Sequence, residues 1–319
     1  MNNTALILPA SHAPLVPSII ADAGNAAPRR FIEFFTAQIP NDNTRAAYFK
    51  AVTRFLAWCD GYGITLQKIE PVHLAAYIKQ HPGSDPTKKQ HLAAIRALFD
   101  YLVTGQVLPQ NPAASVRGPR YSVKKGKTPV LAAEDARALL NSIDITTLHG
   151  LRDRALIAVM AYSFARISAV VNMNVADYYA NGKRHWLRLH EKGGKEHQVP
   201  AHHNSVDYLD AYLDAAGIRE EKKTPLFRAF DKKGGQLTAN AMSRFAAFQM
   251  IRRRAEAIGL TCGVGCHTFR ATGITTYLQN GGTLERARAI ANHEDMRTTK
   301  LYDHTQDDIT LDEINRIVI

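Results

Sequence analysis

The sequence predicts a mainly α protein of two domains, a helical first domain and an α-rich second domain with a small antiparallel β-sheet. Three observations lead there. The 319 residues, 45% of them hydrophobic, supply two ordinary cores at roughly 150 residues per domain. Apolar residues recur at helical spacing through most of the chain. One short stretch, His185 to His190 (HWLRLH), alternates instead and runs into the turn pair Gly193-Gly194, with Glu196 to Pro200 as its returning partner.

Residues 1–27 are rich in Pro, Ala and Asn and lack a period, so they read as a flexible leader with one short apolar contact. A helical pattern begins at Asn43, where Tyr48, Val52, Phe55, Leu56 and Cys59 share one face and Arg45, Lys50 and Arg54 fall elsewhere. Asn43 or Thr44 is the expected N-cap, and Gly61 or Gly63 the stop. A second helix is expected from Glu70 to Gln80, started by Pro71. A third follows Pro86, with Leu92, Ile95, Leu98, Phe99 and Leu102 inward and Lys88, Lys89 and Arg96 off that face. Residues 28–118 therefore read as one helical domain.

Residues 119–129 read as a basic linker. Ser115 to Thr128 carries Arg117, Arg120, Lys124, Lys125 and Lys127 with no acid, a composition that suits contact with phosphates or simple solvation. The second domain, residues 130–319, opens with a helix from Ala132 to Ser142 and a strongly apolar one from Leu151 to Phe164. Further helices are expected at Val206 to Ala216, Ala239 to Ile258, Thr268 to Gln279, Leu284 to Ala291 and Thr310 to Ile317.

Charge narrows the partner. The chain has 40 Lys and Arg against 29 Asp and Glu, a net +11. Residues 1–128 hold 15 of those cations and 7 of the acids, so most of the excess lies in the first domain and the linker. This excludes an acidic disordered protein and points to a polyanion. Three cysteines are too few for a disulfide scaffold, and the start lacks the charged, continuously apolar pattern of a signal peptide. The longest apolar run, Ala155 to Tyr162, is far short of the ~20 residues a membrane helix needs. The expectation is a cytoplasmic protein without membrane contact.

Some chemistries fall away. There is no Gly-x-x-x-x-Gly-Lys-Ser/Thr phosphate loop. Cys262, Cys266 and His267 cluster, but no second ligand pair has zinc spacing, and buried or loop thiols explain them better. His185, His190, His197, His202 and His203 read as surface or hairpin residues. Arg252, Arg253 and Arg254 form a run that serves either as a solvated helix face or as a phosphate contact.

The remaining set arrives in order along the chain. AYSFARIS carries Arg166, RLHEKGGKEHQVP carries Lys192 at the hairpin turn, CHTFRATGITTYL carries His267 and Arg270, and ANHEDMRTTKLYDH carries His293 and Tyr302. The spacing of His267 and Arg270 puts both on one helix face. With this order the sequence resembles the tyrosine recombinase family, the phage-type integrases that include the Xer-like enzymes. The likeness covers residues 130–319 as catalytic domain and 28–118 as the family's core-binding domain.

Three positions depart from the family pattern. Ala169 stands where an acid usually follows the first arginine by three residues, Asn292 replaces the common Gly before the histidine, and Ala165 replaces a Leu. Lys195 competes with Lys192 for the lysine role.

The resemblance implies a DNA strand transferase that needs neither cofactor nor metal. Tyr302 would be the nucleophile, leaving a 3′-phosphotyrosyl link. Arg166 and Arg270 would neutralise the non-bridging oxygens, as planar, permanently charged donors can. His267 would act as base, Lys192 as the acid for the leaving 5′ oxygen, and His293 as a further donor. The implied partner is double-stranded DNA, clamped by the two domains, with a homotetramer acting on two recombination sites and a monomer or weak oligomer without DNA. The tail TLDEINRIVI, with Leu311, Ile314 and Ile317 at helical spacing, would dock on a neighbouring protomer or fold back on its own core. Two alternatives stay open: a monomeric type IB topoisomerase, and a DNA-binding regulator with an impaired site, the latter suggested by Ala169.

Overall fold

The computed structural model describes residues 16–120, 126, 128–191, 194–231, 233–260 and 263–303. The chain divides into two units, Met1–Ser122 and Val123–Ile319.

In the first unit, the segment expected as a flexible leader is partly helical. Helices α1 (Ser18–Ala21) and α2 (Ala26–Glu33) bury Ile19, Ile20, Ala27 and Phe31, and a π-helical turn at Phe34–Gln38 buries two more rings. Burying a large apolar side chain is worth ~1.5–3 kcal/mol, enough to order a short segment that sends Ile19, Ile20 and Phe31 into the core. Helix α3 (Asp42–Gly61) begins earlier than expected. Its cap is Asn41, whose Oδ1 accepts from the Thr44 backbone N–H at 3.1 Å. Helices α4 (Pro71–Gln80) and α5 (Asp85–Thr104) follow the spacing of their apolar faces. Phe31, Phe55, Leu56, Leu74, Leu92, Ile95 and Phe99 close the core.

The second unit is built around α7. Helix α6 (Ala133–Asn141) precedes it, and α7 (Leu148–Ser163) buries every residue from Ala155 to Met160. A helix apolar on all sides must be surrounded. Its cap is Thr147, whose Oγ1 accepts from the Gly150 N–H at 3.1 Å. Short α8 (Ile167–Val171) leads to strands β1 (Tyr178–Asn181), β2 (Arg184–His190) and β3 (Glu196–Pro200). These form an antiparallel sheet in the order β1-β2-β3, with Leu187 facing Tyr178 on one side and Val199 on the other. The expected hairpin is thus two-thirds of a three-stranded sheet.

Helix α9 (His203–Ala216) packs on α7. A two-stranded ribbon follows, β4 (Arg228–Phe230) with β5 (Leu237–Ala241). The helix expected from Ala239 therefore starts later, as α10 (Arg244–Ala257), because its first residues pair with β4 and Ser243 supplies the cap. Helix α11 (Cys266–Gln279) crosses α7 at Gly273. A Cβ there would collide with the Ala161 carbonyl oxygen and come within 2.8 Å of the Phe164 ring. Helices α12 (Leu284–Ala291) and α13 (Met296–Lys300) complete the described chain. The helix expected at Thr310 to Ile317 and most of the linker, residues 121–125 and 127, lie outside the described residues.

The arginine run on α10 divides in its roles. Arg254 reaches into the core, where Asp153 receives Arg152 at 2.7 Å on one oxygen and Arg254 at 2.8 Å on the other. Arg254 is a structural residue, not an outward phosphate contact. Arg252 is exposed and pairs with Glu256 at 3.2 Å. Among the described residues no helix is long and apolar enough to cross a membrane.

Candidate active site

Two left-handed turns deliver the site. Helix α7 is stopped by Phe164 at φ 55, unusual for a bulky residue and held by burial of its ring. The chain then turns so that Arg166 caps α8 in extended conformation. Helix α12 is likewise stopped by Asn292 at φ 48, immediately before His293. Asn is, after Gly, the residue that enters the left-handed region most readily, which explains how it stands in for the usual glycine.

Arg270, on α11, ties both turns together. It is 2% exposed, its Nη1 donates to the Phe164 carbonyl, and its Nη2 donates to the Ala291 carbonyl at 2.7 Å. Burial, then the Arg166 charge, push its pKa down to about 10, opposed by nearby Tyr302 and Glu191. It remains a cation at neutral pH. His267 lies one turn earlier and keeps much of its surface exposed. Burial of the rest, with the charges of Arg270 and Arg166, lowers its pKa below the ordinary imidazole value.

His293 is 6% exposed and its Nδ1 meets Thr299 Oγ1 at 2.9 Å. Burial first, then Arg270 and Arg166, push its pKa down to about 4, so the ring is neutral. Tyr302 follows α13. Its N–H donates to the Thr299 carbonyl at 3.0 Å and its own carbonyl accepts from Thr275 Oγ1 at 3.1 Å. Its ring runs parallel to that of His293, centroids 6.0 Å apart and planes 8° from parallel.

Arg166, His267, Arg270, His293 and Tyr302 are thus gathered at one place from four separate segments. Lys192 lies outside the described residues. The hairpin beside it is closed by the Glu191 N–H donating to the Lys195 carbonyl at 2.8 Å. The competing Lys195 has its ammonium 2.8 Å from Glu294, and that hydrogen bond raises its pKa. His197, expected as an ordinary hairpin residue, instead ties β3 to α12 through the Ile290 carbonyl at 2.9 Å.

Two residues of the site were not singled out from sequence. Thr299 supports His293, and Glu191 Oε2 receives Arg166 Nη1 at 3.0 Å. Ala169 itself is fully buried in the apolar core. Only the turn position of Glu191 beside Lys192 gave any hint of it.

Residues 129–308 match the phage integrase family. The chain is 31% identical over 216 residues to the tyrosine recombinase XerC of Chlamydia pneumoniae, covering 68% of this chain and 66% of that relative. It is 26% identical over 270 residues to the tyrosine recombinase XerD of Listeria monocytogenes, covering 82% and 88%. In fold it is similar to the XerH site-specific recombinase bound to palindromic difH substrate, with a TM-score of 0.69 at 19% identity over 90% of this chain and 83% of that one. It is similar also to a lambda integrase dimer bound to a COC′ core site, with a TM-score of 0.66 at 15% identity over 88% and 77%. A helical fold with an arginine, histidine and tyrosine site of this kind defines a tyrosine-type site-specific recombinase. The chain belongs to the phage integrase family, on its Xer-like side.

Proposed function

We propose that this recombinase cleaves and rejoins duplex DNA through a 3′-phosphotyrosyl intermediate on Tyr302. The observation that carries the reading is the convergence of Arg166, Arg270 and His293 around Tyr302, with one buried and one half-exposed guanidinium in the cluster that holds the phenol. In the forward step the Tyr302 oxygen attacks phosphorus and its proton passes to His267, which is neutral at pH 7 and able to accept it. The bond to the 5′ oxygen breaks, and Lys192, next in sequence to Glu191, donates the proton that makes it a hydroxyl. Arg166 and Arg270 carry the charge on the non-bridging oxygens. With Thr299 donating to Nδ1, His293 keeps its Nε2–H as a third donor. Attack by a 5′ hydroxyl of another strand reverses the chemistry and rejoins DNA without an external energy source.

The first unit and the basic segment 119–129 supply phosphate contacts that hold DNA without reading its sequence. The reading includes a homotetramer on two sites. In the second unit a groove of about 600 Å³, lined by Leu140, Tyr162, Tyr208, Phe269, Tyr277 and Ile290, suits the apolar residues Leu311, Ile314 and Ile317 of a second copy. Deleting residues 310–319 is expected to leave DNA binding and lower the DNA-bound order; unchanged tetramer formation overturns that docking. The reading places the protein in the cytoplasm, on the nucleoid.

The test uses nicked duplexes recovered by the protein from a randomised pool. Wild type is expected to form a covalent adduct that survives denaturation and is lost in Tyr302→Phe. No adduct, with binding retained, favours the regulator. Relaxation of supercoiled plasmid lacking the selected site favours the topoisomerase. The bond that Glu191 makes to Arg166 speaks for an active enzyme, since the cation keeps a carboxylate despite Ala169.

A further inference from the structure

Arg166 faces an unusual problem of support. In this sequence the third position after it, Ala169, is buried among Ala165, Val170 and Val171 and offers no polar atom to the guanidinium. An arginine side chain with several rotatable bonds, half open to solvent, does not hold one geometry unaided. The carboxylate that meets it comes from elsewhere in the fold, 25 residues on, at the end of β2.

We propose that Glu191 is the positioning residue for Arg166, taking over from the hairpin the role that Ala169 leaves vacant. This rests on the phosphotyrosyl reading above. Three observations carry it. Glu191 Oε2 lies 3.0 Å from Arg166 Nη1, a charge-assisted bond that restrains that end of the guanidinium. The Glu191 side chain is 7% exposed and that of Arg166 37%, so the carboxylate is the buried anchor and the cation keeps an open side for an anion. A buried carboxylate needs a partner, which makes the pairing obligatory in one direction. Glu191 also lies near enough to Arg270 to oppose the lowering of its pKa, so the acid serves the cation cluster from its rear.

The anchor's place in the chain adds a coupling. Glu191 immediately precedes Lys192, and the same hairpin is tied to the histidine segment by Lys195 with Glu294 at 2.8 Å and by His197 with the Ile290 carbonyl at 2.9 Å. The strand end that precedes the lysine in sequence is therefore the one that meets Arg166. An acid on α8 would orient the arginine regardless of the hairpin; an acid on the hairpin makes the orientation depend on it.

The experiment is single-turnover adduct formation on the selected nicked duplex, with wild type, Glu191→Gln, Arg166→Lys and the double variant. Gln keeps the size and removes the charge; thermal melting and half-saturation by the same duplex check that fold and binding are retained. Glu191→Gln is expected to slow adduct formation about 10- to 100-fold while half-saturation moves less than about threefold, the scale of misplacing a reacting group. In the Arg166→Lys background the same change is expected to cost less than about twofold, since a residue that acts only through Arg166 has nothing further to lose. A single variant within about twofold of wild type, or a cost that adds in full to that of Arg166→Lys, overturns the inference. A wild type that forms no Tyr302-dependent adduct overturns the phosphotyrosyl reading and this inference with it; an active wild type indifferent to Glu191 overturns the inference alone.

Discussion

His293 Nδ1 and Thr299 Oγ1 lie 2.9 Å apart, and Thr299 is fully buried. The hydroxyl sits on α13, the short helix that leads into Tyr302, so one bond fixes the ring and braces the tyrosine's segment. Thr299→Val keeps the shape and removes the hydroxyl. Losing a buried hydrogen bond in this way costs about 1–3 kcal/mol. Adduct formation is expected to fall with it, because His293 is then free to carry its proton on the wrong nitrogen. Chemical denaturation and adduct rates check this; no change in either would show that the bond is incidental.

The histidines set a pH window. His293 is held at about 4 and His267 below its ordinary value, burial being the main cause in both. Both are neutral at pH 7, so adduct formation is expected to be flat just below neutrality and to decline only under the ordinary imidazole value of 6.5. An inflection at or above 6.5 would contradict the assignment of His267 as base. Stability follows the same sign. Between about 4 and 6.5 the unfolded chain binds protons at His293 that the folded chain refuses, so stability is full above that window and drains as pH falls through it. His91 in the first unit, also pushed to about 4, acts the same way. Denaturant midpoints at several pH values measure it.

Gly273 allows α11 to lie against α7. Gly273→Ala puts a methyl into the Ala161 carbonyl and the Phe164 ring, and overpacking of this kind costs about 1–3 kcal/mol. The displacement also moves Arg270 from the Phe164 carbonyl. We expect a lower melting temperature together with slower adduct formation. A melting temperature equal to wild type would mean that the helices separate without penalty.

Asp153 stands between two arginines in the core. Asp153→Ala leaves Arg152 and Arg254 facing each other unneutralised, a change expected to cost about 3–5 kcal/mol in urea unfolding. Arg252→Ala, which breaks an exposed pair and a long contact with the Phe248 ring, is expected to cost less than about 1 kcal/mol. Equal costs would refute the structural reading of Arg254.

The sequence was most legible where a local period or a fixed spacing carries the information. Helices α3 and α5 announced themselves through Val52, Phe55 and Leu56, and through Leu92, Ile95 and Phe99, because one face of each supplies the core. The site residues stood out through their order. What was hidden depends on distant partners. Ile19 and Ile20 look like part of a leader until the core they enter is known. Residues 239–241 fall in a stretch that reads as helix, yet they lie in β5, where Ala241 pairs with Arg228 of β4. Glu191 reads as one more hairpin acid, since Arg166 is 25 residues away, and Thr299 is one of two adjacent threonines of which only the structure selects the partner of His293.

Arg270 bonds two carbonyls, Phe164 at the end of α7 and Ala291 at the end of α12, while sharing the site with Tyr302. On the proposed mechanism a single guanidinium is therefore both clasp and reagent. On that mechanism, a chain in which those helix ends have not yet met around Arg270 would hold the tyrosine without the charge cradle that activates it. Folding itself would then be the safety catch: the power to break DNA would arrive only with the architecture able to reseal it.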